Sequence, residues 1–193
     1  MLPFPPRMRL ARTSDGPALA DLVNFAGEGL PLHLWKELAG PDEDPWEIGA
    51  ARQVKRAEDG QMVVIEEAGT VVAAMNGYPI CGVVEIGEAM PPIFRPLQML
   101  ENMVVGTWYL NVVATYPRAR GRGLGSRLLA YAEGRAVEEG LAAVSIIVAD
   151  ENVGARRLYE RLGYGEIARA DIVKDGWDNP SSQWILLKKA IEA

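Results

Sequence analysis

The pattern that most constrains this chain is a strand, a glycine-rich turn, a helix and a second strand within residues 108–148. Runs of apolar residues predict strands at 108–115 and 142–148. A helix is predicted at 124–139, because apolar residues recur at every fourth position along it and Gly140 then ends it. A helix that joins two strands over this length is a crossover connection. The two strands are therefore predicted to be parallel, with a right-handed connection.

Shorter elements are predicted on both sides of this crossover. Ser14 is the predicted N-cap of a helix that opens at Gly16 and Pro17, and Ala68 with Gly69 is the predicted turn of a β-hairpin. The other elements predicted from periodicity are strands at 8–13, 62–66, 70–78, 166–173 and 183–188 and helices at 32–38, 46–57 and 153–162. At 193 residues, we expect a single domain over 1–193.

Residues 79–106 are the least regular part of the sequence. Four prolines are scattered there among apolar residues. The segment is too hydrophobic to be a solvated linker, so we expect an ordered excursion from the sheet. A role in covering a ligand is open.

The composition excludes several classes of protein. A hydrophobic fraction of 49% with 24% charged residues is typical of a soluble globular protein with a core, and the formal net charge of −6 argues against nucleic-acid binding. Cys81 and His33 are the only cysteine and histidine, so neither a disulfide nor a metal site built from several such residues is expected. We expect no metal, no nucleic acid partner and no membrane partner.

The apolar runs of the chain are short. They fall below the roughly 18 residues of a membrane-spanning helix, and the first ten residues lack the apolar length of a signal peptide. A cytoplasmic location is the simplest expectation. The sequence leaves a homodimer open.

The glycine-rich turn reads RARGRGLGSR at residues 118–127 and is strongly positive for an acidic chain. Gly121, Gly123 and Gly125 lie between a predicted strand and a predicted helix, where unhindered N–H groups and the helix dipole favour an anion. A P-loop would require a Lys followed by Ser or Thr, which is missing. A dinucleotide-binding loop requires G-x-G-x-x-G, and the third glycine is not at that spacing.

A third interpretation fits better. Arg120 to Gly125 matches Q/R-x-x-G-x-G/A, and Asn152 with residues 155–164 matches N-x-x-A-x-x-L-Y-E-x-x-G-F/Y. Both motifs resemble those of the GNAT superfamily of acetyl-CoA-dependent N-acetyltransferases, most strongly over 108–164. The resemblance implies an α/β (α+β) fold: a mixed, mostly antiparallel sheet of six to seven strands, with helices on both faces and a parallel pair at the cofactor site.

The resemblance also implies an activity and a set of site residues. Acetyl-CoA would be the acetyl donor, and the acetyl group would pass directly to a primary amine in a ternary complex. Tyr159 would be the general acid that protonates the leaving thiolate. The cofactor-binding residues would be Val113, Ala114, Thr115, Arg120, Gly121, Arg122, Gly123, Leu124, Gly125, Ser126 and Asn152.

Structural roles are the alternatives for these residues. Asn152 is also a favoured helix N-cap, Tyr159 is also compatible with a core tyrosine, and the loop with a plain turn carrying solvated arginines. Asn152 and Tyr159 are seven residues apart, which returns a helix to within roughly 20° of its starting direction. They are therefore predicted to share one face.

The general base and the acceptor are not determined by the sequence. Relatives that modify ribosomal-protein N-termini carry a Glu five residues before the Asn, where this chain has Ile147. Glu66, Glu101 and Asp150 are chemically able to act as the base, as is ordered water. The acceptor is expected to contact residues 25–40 and 79–106. A coenzyme A sensor without turnover is the alternative function.

Overall fold

A computed structural model describes residues 5–191 of the chain. Its helices and strands, in chain order, are β1 (Arg7–Leu10), α1 (Gly16–Ala26), α2 (Leu30–Leu38), α3 (Pro45–Glu58), β2 (Met62–Glu67), β3 (Thr70–Pro79), α4 (Arg95–Asn102), β4 (Trp108–Thr115), α5 (Leu124–Glu138), β5 (Ala143–Ala149), α6 (Val153–Arg161), β6 (Gly165–Asp171) and β7 (Gln183–Ala190).

Within this described range the strands form one seven-stranded sheet in the order β1-β2-β3-β4-β5-β7-β6. Strands β4 and β5 are parallel, with Trp108 opposite Val144 and Leu110 opposite Ile146. The pairs β1-β2, β2-β3, β5-β7 and β6-β7 are antiparallel. The predicted mixed, mostly antiparallel sheet with one parallel pair is confirmed.

The fold divides into two compact units. One unit contains the chain up to Asn76 together with Val112–Leu128, and the other contains Gly77–Asn111 together with the chain from Leu129 onward. The predicted organisation as a single domain over 1–193 stays a prediction.

The core of the first unit lies between helices and the N-terminal strands. Leu19 and Leu22 of α1 and Met62 and Val64 of β2 are buried in one apolar cluster. Trp35 of α2 also belongs to it. Helix α3 approaches the Trp35 ring through Gly49, where an added Cβ would lie 2.5 Å from the ring. The close approach explains why a glycine is found in the interior of this helix.

The start of α1 corrects the prediction for Ser14. The N-cap is Asp15, and Ser14 lies in a 3₁₀ turn over Thr13–Asp15. The Asp15 carboxylate accepts hydrogen bonds from the Arg12 N–H at 2.7 Å and from the Arg9 guanidinium at 2.7 and 3.1 Å. These bonds place the N-cap at Asp15, one residue later than the N-cap preference of the local sequence predicts.

The hairpin of β2 and β3 is confirmed. Ala68 has φ of 49° and Gly69 has φ of 80°. Two successive residues with positive φ form the type I′ turn that matches the twist of paired strands. The Ala68-Gly69 pair therefore sets the register that places Glu67 opposite Thr70 and Glu66 opposite Val71, and a shift between Ile65 and Glu66 then places Ile65 opposite Ala73.

The second unit has its core around β5 and β7, where Val144, Ile185 and Leu186 are fully buried. The hydroxyl groups of Thr107 and Ser145 hydrogen-bond to each other at 2.7 Å in this core. Their pairing satisfies two buried polar groups between apolar neighbours.

The segment 79–106 is an ordered excursion that contains α4. Its two ends are joined by hydrogen bonds from Ile80 N to Thr107 O at 3.0 Å and from Gly106 N to Ile80 O at 2.8 Å. The Asn102 side chain then bonds to both the N–H and the carbonyl of Val84, at 2.9 and 2.8 Å. These contacts hold α4 against the rest of the excursion.

Other predicted boundaries differ from the structure by a few residues. Strand β1 ends at Leu10, where the prediction extended to 13, and β6 ends at Asp171, where it extended to 173. Helix α2 begins two residues earlier than predicted, at Leu30, behind Gly29 with φ of 90°.

Candidate active site

The glycine-rich loop lies between β4 and α5. A 3₁₀ turn at Pro117–Ala119 follows β4, and Gly121 and Gly123 then have φ of 72° and 76°. Residues with a Cβ rarely adopt this conformation, so the two glycines allow the backbone path of the loop.

Backbone donors accumulate at the start of α5. The first helical hydrogen bond runs from Arg127 N to Gly123 O at 3.1 Å. The N–H groups of residues 123–126 therefore precede the helical ladder and have no partner within α5. Gly123 has no side chain to cap them. Together with the positive end of the helix dipole, they form a site suited to a phosphate group.

The arginines of the loop have different partners. Arg120 donates from Nε to the Thr115 carbonyl at 3.1 Å. Arg122 forms a two-pronged pair with Glu67, with distances of 2.8 Å from Nη1 to Oε2 and 2.5 Å from Nη2 to Oε1. The hydrogen bonds from Arg122 lower the pKa of Glu67. The charge of Arg122 is thus shared with a carboxylate, whereas that of Arg120 is not.

Residues 113–115 end β4. Ala114 is buried in the core cluster of the first unit, while Val113 and Thr115 are half-buried. The next residue, Tyr116, donates its N–H to Val72 O at 3.0 Å. The cofactor-binding roles implied for Val113, Ala114 and Thr115 stay predictions.

Asn152 is the N-cap of α6. Its Oδ1 atom accepts a hydrogen bond from Ala155 N at 3.1 Å, and its carbonyl accepts one from Arg156 N at 3.0 Å. The Nδ2 group has no partner within residues 5–191. Capping therefore uses the acceptor of the amide and leaves its donor free for a ligand.

Tyr159 is 4% exposed, and burial raises the pKa of its hydroxyl. Its ring lies 6.0 Å from the Tyr164 ring. In the described part of the chain no group hydrogen-bonds to the Tyr159 hydroxyl, although a buried tyrosine usually has a partner. The absence of a partner argues against the alternative of a core tyrosine with a satisfied hydroxyl.

Tyr164, the neighbour of Tyr159, is held in place by contacts with two charged residues. The Tyr164 hydroxyl lies 3.4 Å from Oε1 of Glu133, and the same oxygen accepts a hydrogen bond from Lys189 Nζ at 2.8 Å. The Lys189 ammonium also lies 5.8 Å from the centre of the Tyr164 ring. These contacts hold the ring against which Tyr159 packs.

Two of the three carboxylates considered as the base have structural partners. Glu66 is paired with Arg9 at 2.6 Å. Asp150 accepts hydrogen bonds from the Ser182 hydroxyl at 2.7 Å and the Ser182 N–H at 3.0 Å. Although partial burial opposes this effect, the bonds to Ser182 lower the pKa of Asp150. Both carboxylates are therefore engaged in contacts that stabilise the fold.

Glu101 differs from these two carboxylates. It is half-buried on α4, and burial raises its pKa while the nearby Tyr109 hydroxyl partly offsets this effect. Tyr109 was not predicted as a site residue, because a tyrosine within an apolar strand such as β4 is expected to belong to the core. No sequence signal pairs it with Glu101.

His33 and Cys81 lie outside the candidate site residues. His33 Nε2 is 3.5 Å from Oε1 of Glu37 on the same helix, and Cys81 is an exposed free thiol. The described chain contains no cluster of three or more His, Cys, Asp or Glu residues arranged to hold a metal ion. Nor does it contain a helix with the length and apolarity required to cross a membrane.

Solved structures of acetyltransferases share this fold. The yncA protein of Salmonella typhimurium, solved with its cofactor acetyl-CoA, is 20% identical, with a TM-score of 0.63 over 98% of this chain and 96% of its own. The ribosomal-protein-alanine N-acetyltransferase of Brucella melitensis is 24% identical, with a TM-score of 0.63 over 95% and 99%. A mutant of agmatine N-acetyltransferase is 18% identical, with a TM-score of 0.63 over 96% and 99%.

The fold and the loop thus define an acetyltransferase architecture. The model of the acetyltransferase (GNAT) family matches residues 32–164, which is more than half of the chain. The chain belongs to the GNAT family. It is an N-acetyltransferase, and acetyl-CoA is its acetyl donor. A comparison with curated proteins gives no match.

Proposed function

We propose that this protein transfers an acetyl group directly from acetyl-CoA to a primary amine in a ternary complex. The observation that carries the proposal is Tyr159, a buried phenol whose raised pKa keeps it protonated and whose hydroxyl has no partner in the described chain. Such a group is suited to give a proton to a leaving thiolate.

The loop fits the pyrophosphate of coenzyme A. The N–H groups of residues 123–126 are free of helical bonds, Gly121 and Gly123 carry no side chain that would obstruct a ligand, and the charge of Arg120 is not paired with a carboxylate. Charge-assisted bonds of this kind are about twice as strong as neutral ones. We propose that Arg120, Arg122 and residues 121–126 hold this part of the donor.

The remaining proposed contacts orient the donor. The free Nδ2 group of Asn152 would donate to it, and the backbone N–H groups of Val113, Ala114 and Thr115 would bind the carbonyl oxygen. A donor aimed at an oxygen that gains charge typically contributes about 3 kcal/mol to lowering the barrier. When bound, acetyl-CoA supplies a thioester that a neutral amine can attack.

Direct transfer is favoured over a covalent acetyl-enzyme. The single thiol of the chain, Cys81, lies in the 79–106 excursion and belongs to none of the family motifs. A covalent route requires an activated nucleophile next to a base. The contact that the Cys81 thiol makes is to the Pro79 carbonyl, at 3.8 Å, and a carbonyl oxygen is not a base that activates a thiol.

The test is release of coenzyme A thiol from acetyl-CoA across a panel of amines. The names of two structural neighbours suggest agmatine and a peptide with an N-terminal alanine as panel members, beside free lysine and an aminoglycoside. A binding measurement with acetyl-CoA runs in parallel. We expect release with at least one amine. If acetyl-CoA binds but none of the amines gives release of thiol, the proposal is contradicted and a sensor is indicated.

A further inference from the structure

An apolar groove lies in the second unit, where α4 meets the end of β6. It has a volume of about 420 Å³. Its apolar lining residues are Ile86, Pro92, Pro96, Met99, Ala170 and Val173. Three of these side chains, Ile86, Met99 and Val173, are exposed to solvent although they are apolar. The groove contains none of the residues proposed to bind acetyl-CoA or to protonate the thiolate.

The 79–106 excursion, which forms one wall of the groove, is rich in exposed apolar side chains. Of the fourteen large apolar side chains that are exposed within residues 5–191, six belong to this excursion. They are Val83, Val84, Ile86, Met99, Met103 and Val105. Single exposed apolar residues are ordinary on a protein surface, whereas such a concentration is typical of a surface that binds another molecule.

Hydrogen bonds hold the exposed part of the excursion in place. The Asn102 side chain bonds to both backbone groups of Val84, at 2.9 and 2.8 Å. Arg95 donates to the Met90 carbonyl at 3.0 Å and to the Glu88 carbonyl at 3.3 Å. A surface that is held before binding loses less conformational entropy when a partner docks than a mobile surface does.

Two charged residues in the lining of the groove have no partner of opposite charge. Arg95 is the only basic residue of the excursion, and its guanidinium bonds to carbonyls rather than to a carboxylate. Asp171 likewise forms no ion pair in the described part of the chain. By contrast, the other charged residues of β6, Glu166 and Arg169, pair with each other at 2.6 Å. The groove therefore carries one unpaired cation and one unpaired anion on apolar walls.

We propose that this groove binds the same groove of a second copy of the chain, in a dimer with two-fold symmetry. In such a dimer, a contact between two different residues occurs twice, once in each direction. A groove with one unpaired cation and one unpaired anion is complementary to its own rotated copy. Arg95 of each chain pairs with Asp171 of the other, while the apolar walls pack together.

A second copy fits this groove better than an unrelated partner does. An unrelated protein would have to present an apolar surface, an anion for Arg95 and a cation for Asp171, whereas a second copy carries all three. The inference goes beyond the proposed function and does not depend on it. Absence of thiol release on every amine would contradict acetyl transfer and leave the dimer unaffected.

Sedimentation velocity over a series of protein concentrations tests the dimer. We expect wild type to sediment with twice the mass of one chain. Arg95→Glu and Asp171→Arg should each raise the dissociation constant of the dimer by at least about 100-fold, because each replaces two attractions by two like-charge repulsions. Wild type that stays monomeric at about 1 mM would overturn the proposal and leave the groove to a different partner.

A mixture of the two variants tests the pairing directly. In a dimer of one Arg95→Glu chain and one Asp171→Arg chain, both contacts again join opposite charges. We expect an equal mixture to dimerise within about tenfold of the wild-type affinity, although neither variant does so alone. Far-UV circular dichroism and acetyl-CoA binding show whether each variant is folded. A mixture of folded variants that stays monomeric would overturn the pairing of Arg95 with Asp171.

Met99→Asp tests the groove without changing either of the two charges. Met99 is 46% exposed, so the change should leave the fold intact. It should weaken the dimer by at least about tenfold, because a carboxylate would be buried against an apolar wall. Unchanged dimerisation of Met99→Asp would overturn the groove as the interface. If Arg95→Glu fails to fold after losing its bonds to the carbonyls, Met99→Asp and Asp171→Arg decide the assignment.

Arg52→Glu and Asp42→Arg are the matched controls. Both residues are exposed, lie in the first unit and do not line the groove. They change the net charge of the chain by the same amounts as Arg95→Glu and Asp171→Arg. We expect both controls to dimerise as wild type does. Equal loss of the dimer in the controls would show an effect of net charge and overturn the specific pairing.

Discussion

Arg122 and Glu67 form a two-pronged ion pair that ties the glycine-rich loop to the end of β2. The pair occupies both terminal nitrogens of Arg122. Arg120, two residues earlier, is bound only through Nε to the Thr115 carbonyl, so its terminal nitrogens are available. The two arginines of the loop are therefore unequal as ligands for a phosphate.

The first prediction separates them. Arg120→Gln should weaken acetyl-CoA binding by about tenfold, because it removes a charge-assisted contact to phosphate. Arg122→Gln should weaken it less, because the charge of Arg122 is already shared with Glu67. Isothermal titration calorimetry of both variants at one salt concentration measures the difference.

Arg120→Lys is the control that keeps the charge and should lie between wild type and Arg120→Gln. Acetylpantetheine, which lacks the pyrophosphate, should bind equally to wild type and Arg120→Gln. Equal losses of acetyl-CoA affinity for the Gln variants at 120 and 122 would contradict the unequal roles.

The second prediction concerns the backbone of the loop. Gly123 has φ of 76°, so Gly123→Ala is strained and should shift the N–H groups that follow it. We expect acetyl-CoA affinity to fall by at least about tenfold, which is about 1.4 kcal/mol. Gly134→Ala in α5 is the control: an added Cβ meets open space there, and Ala should stabilise the helix by about 0.5 to 1 kcal/mol. Undiminished affinity of Gly123→Ala would argue against the loop as the phosphate site.

Local patterns predicted most of the fold. The Ala68-Gly69 turn, the limits of β4 and the start of α5 follow from residues that are close in sequence, and the structure has them where predicted. The N-cap of α1 was misplaced because Asp15 is held by Arg9, which is in turn held by Glu66. A partner 57 residues from Arg9 is invisible to local propensity.

The same distinction holds for the candidate site. The loop, Asn152 and Tyr159 were predicted because each lies in a short motif. The partners that decide their chemistry come from elsewhere in the sequence: Glu67 for Arg122 is 55 residues away, and Tyr109 joins Glu101 from another element. Glu101 was one of three candidate bases in the sequence, but only the burial and the partners seen in the structure distinguish it from Glu66 and Asp150.

The third prediction separates capping from ligand binding at Asn152. Asn152→Asp keeps the oxygen that accepts from Ala155 N and removes the Nδ2 donor. We expect unchanged or slightly higher stability, because a carboxylate favours a helix N-terminus, and weaker acetyl-CoA binding. Asn152→Ala should lose the cap as well, at about 1 kcal/mol. Full affinity in the Asp variant would leave Asn152 with the capping role alone.

The fourth prediction concerns Tyr159. Tyr159→Phe should lower kcat by about 100-fold with acetyl-CoA affinity unchanged, because only the proton donor is lost. Tyr164→Phe, in the neighbouring ring, should keep kcat within about threefold of wild type and serves as the control. Unchanged kcat in Tyr159→Phe would exclude Tyr159 as the general acid.

The pH profile adds a test of the same residue. Burial raises the pKa of Tyr159 above the ordinary tyrosine value of about 10. The phenol therefore stays protonated as the pH rises from 7 to about 10, and kcat should show no decline from its ionisation in that range. A decline that appears in wild type and is missing in Tyr159→Phe would contradict the raised pKa.

The last prediction concerns the stability of the first unit at low pH. Asp15 is buried and bound to Arg9 and to the Arg12 N–H. Burial alone would raise its pKa, but the bonds from Arg9 and Arg12 outweigh burial and the pKa of Asp15 is lowered. Asp15→Asn should cost about 2 kcal/mol at pH 7, the range for a hydrogen bond to a charged group.

The sign of the pH dependence follows from the lowered pKa. A carboxyl whose folded pKa is below its unfolded value of about 3.9 stabilises the fold above that pH, and the stabilisation is lost as the pH falls through the folded pKa. The difference in free energy of unfolding between wild type and Asp15→Asn should therefore shrink as the pH is lowered from about 5 to about 2. Urea unfolding at several pH values measures it, with the exposed Asp42→Asn as control. A difference that is constant with pH would show that Asp15 acts through its shape rather than its charge.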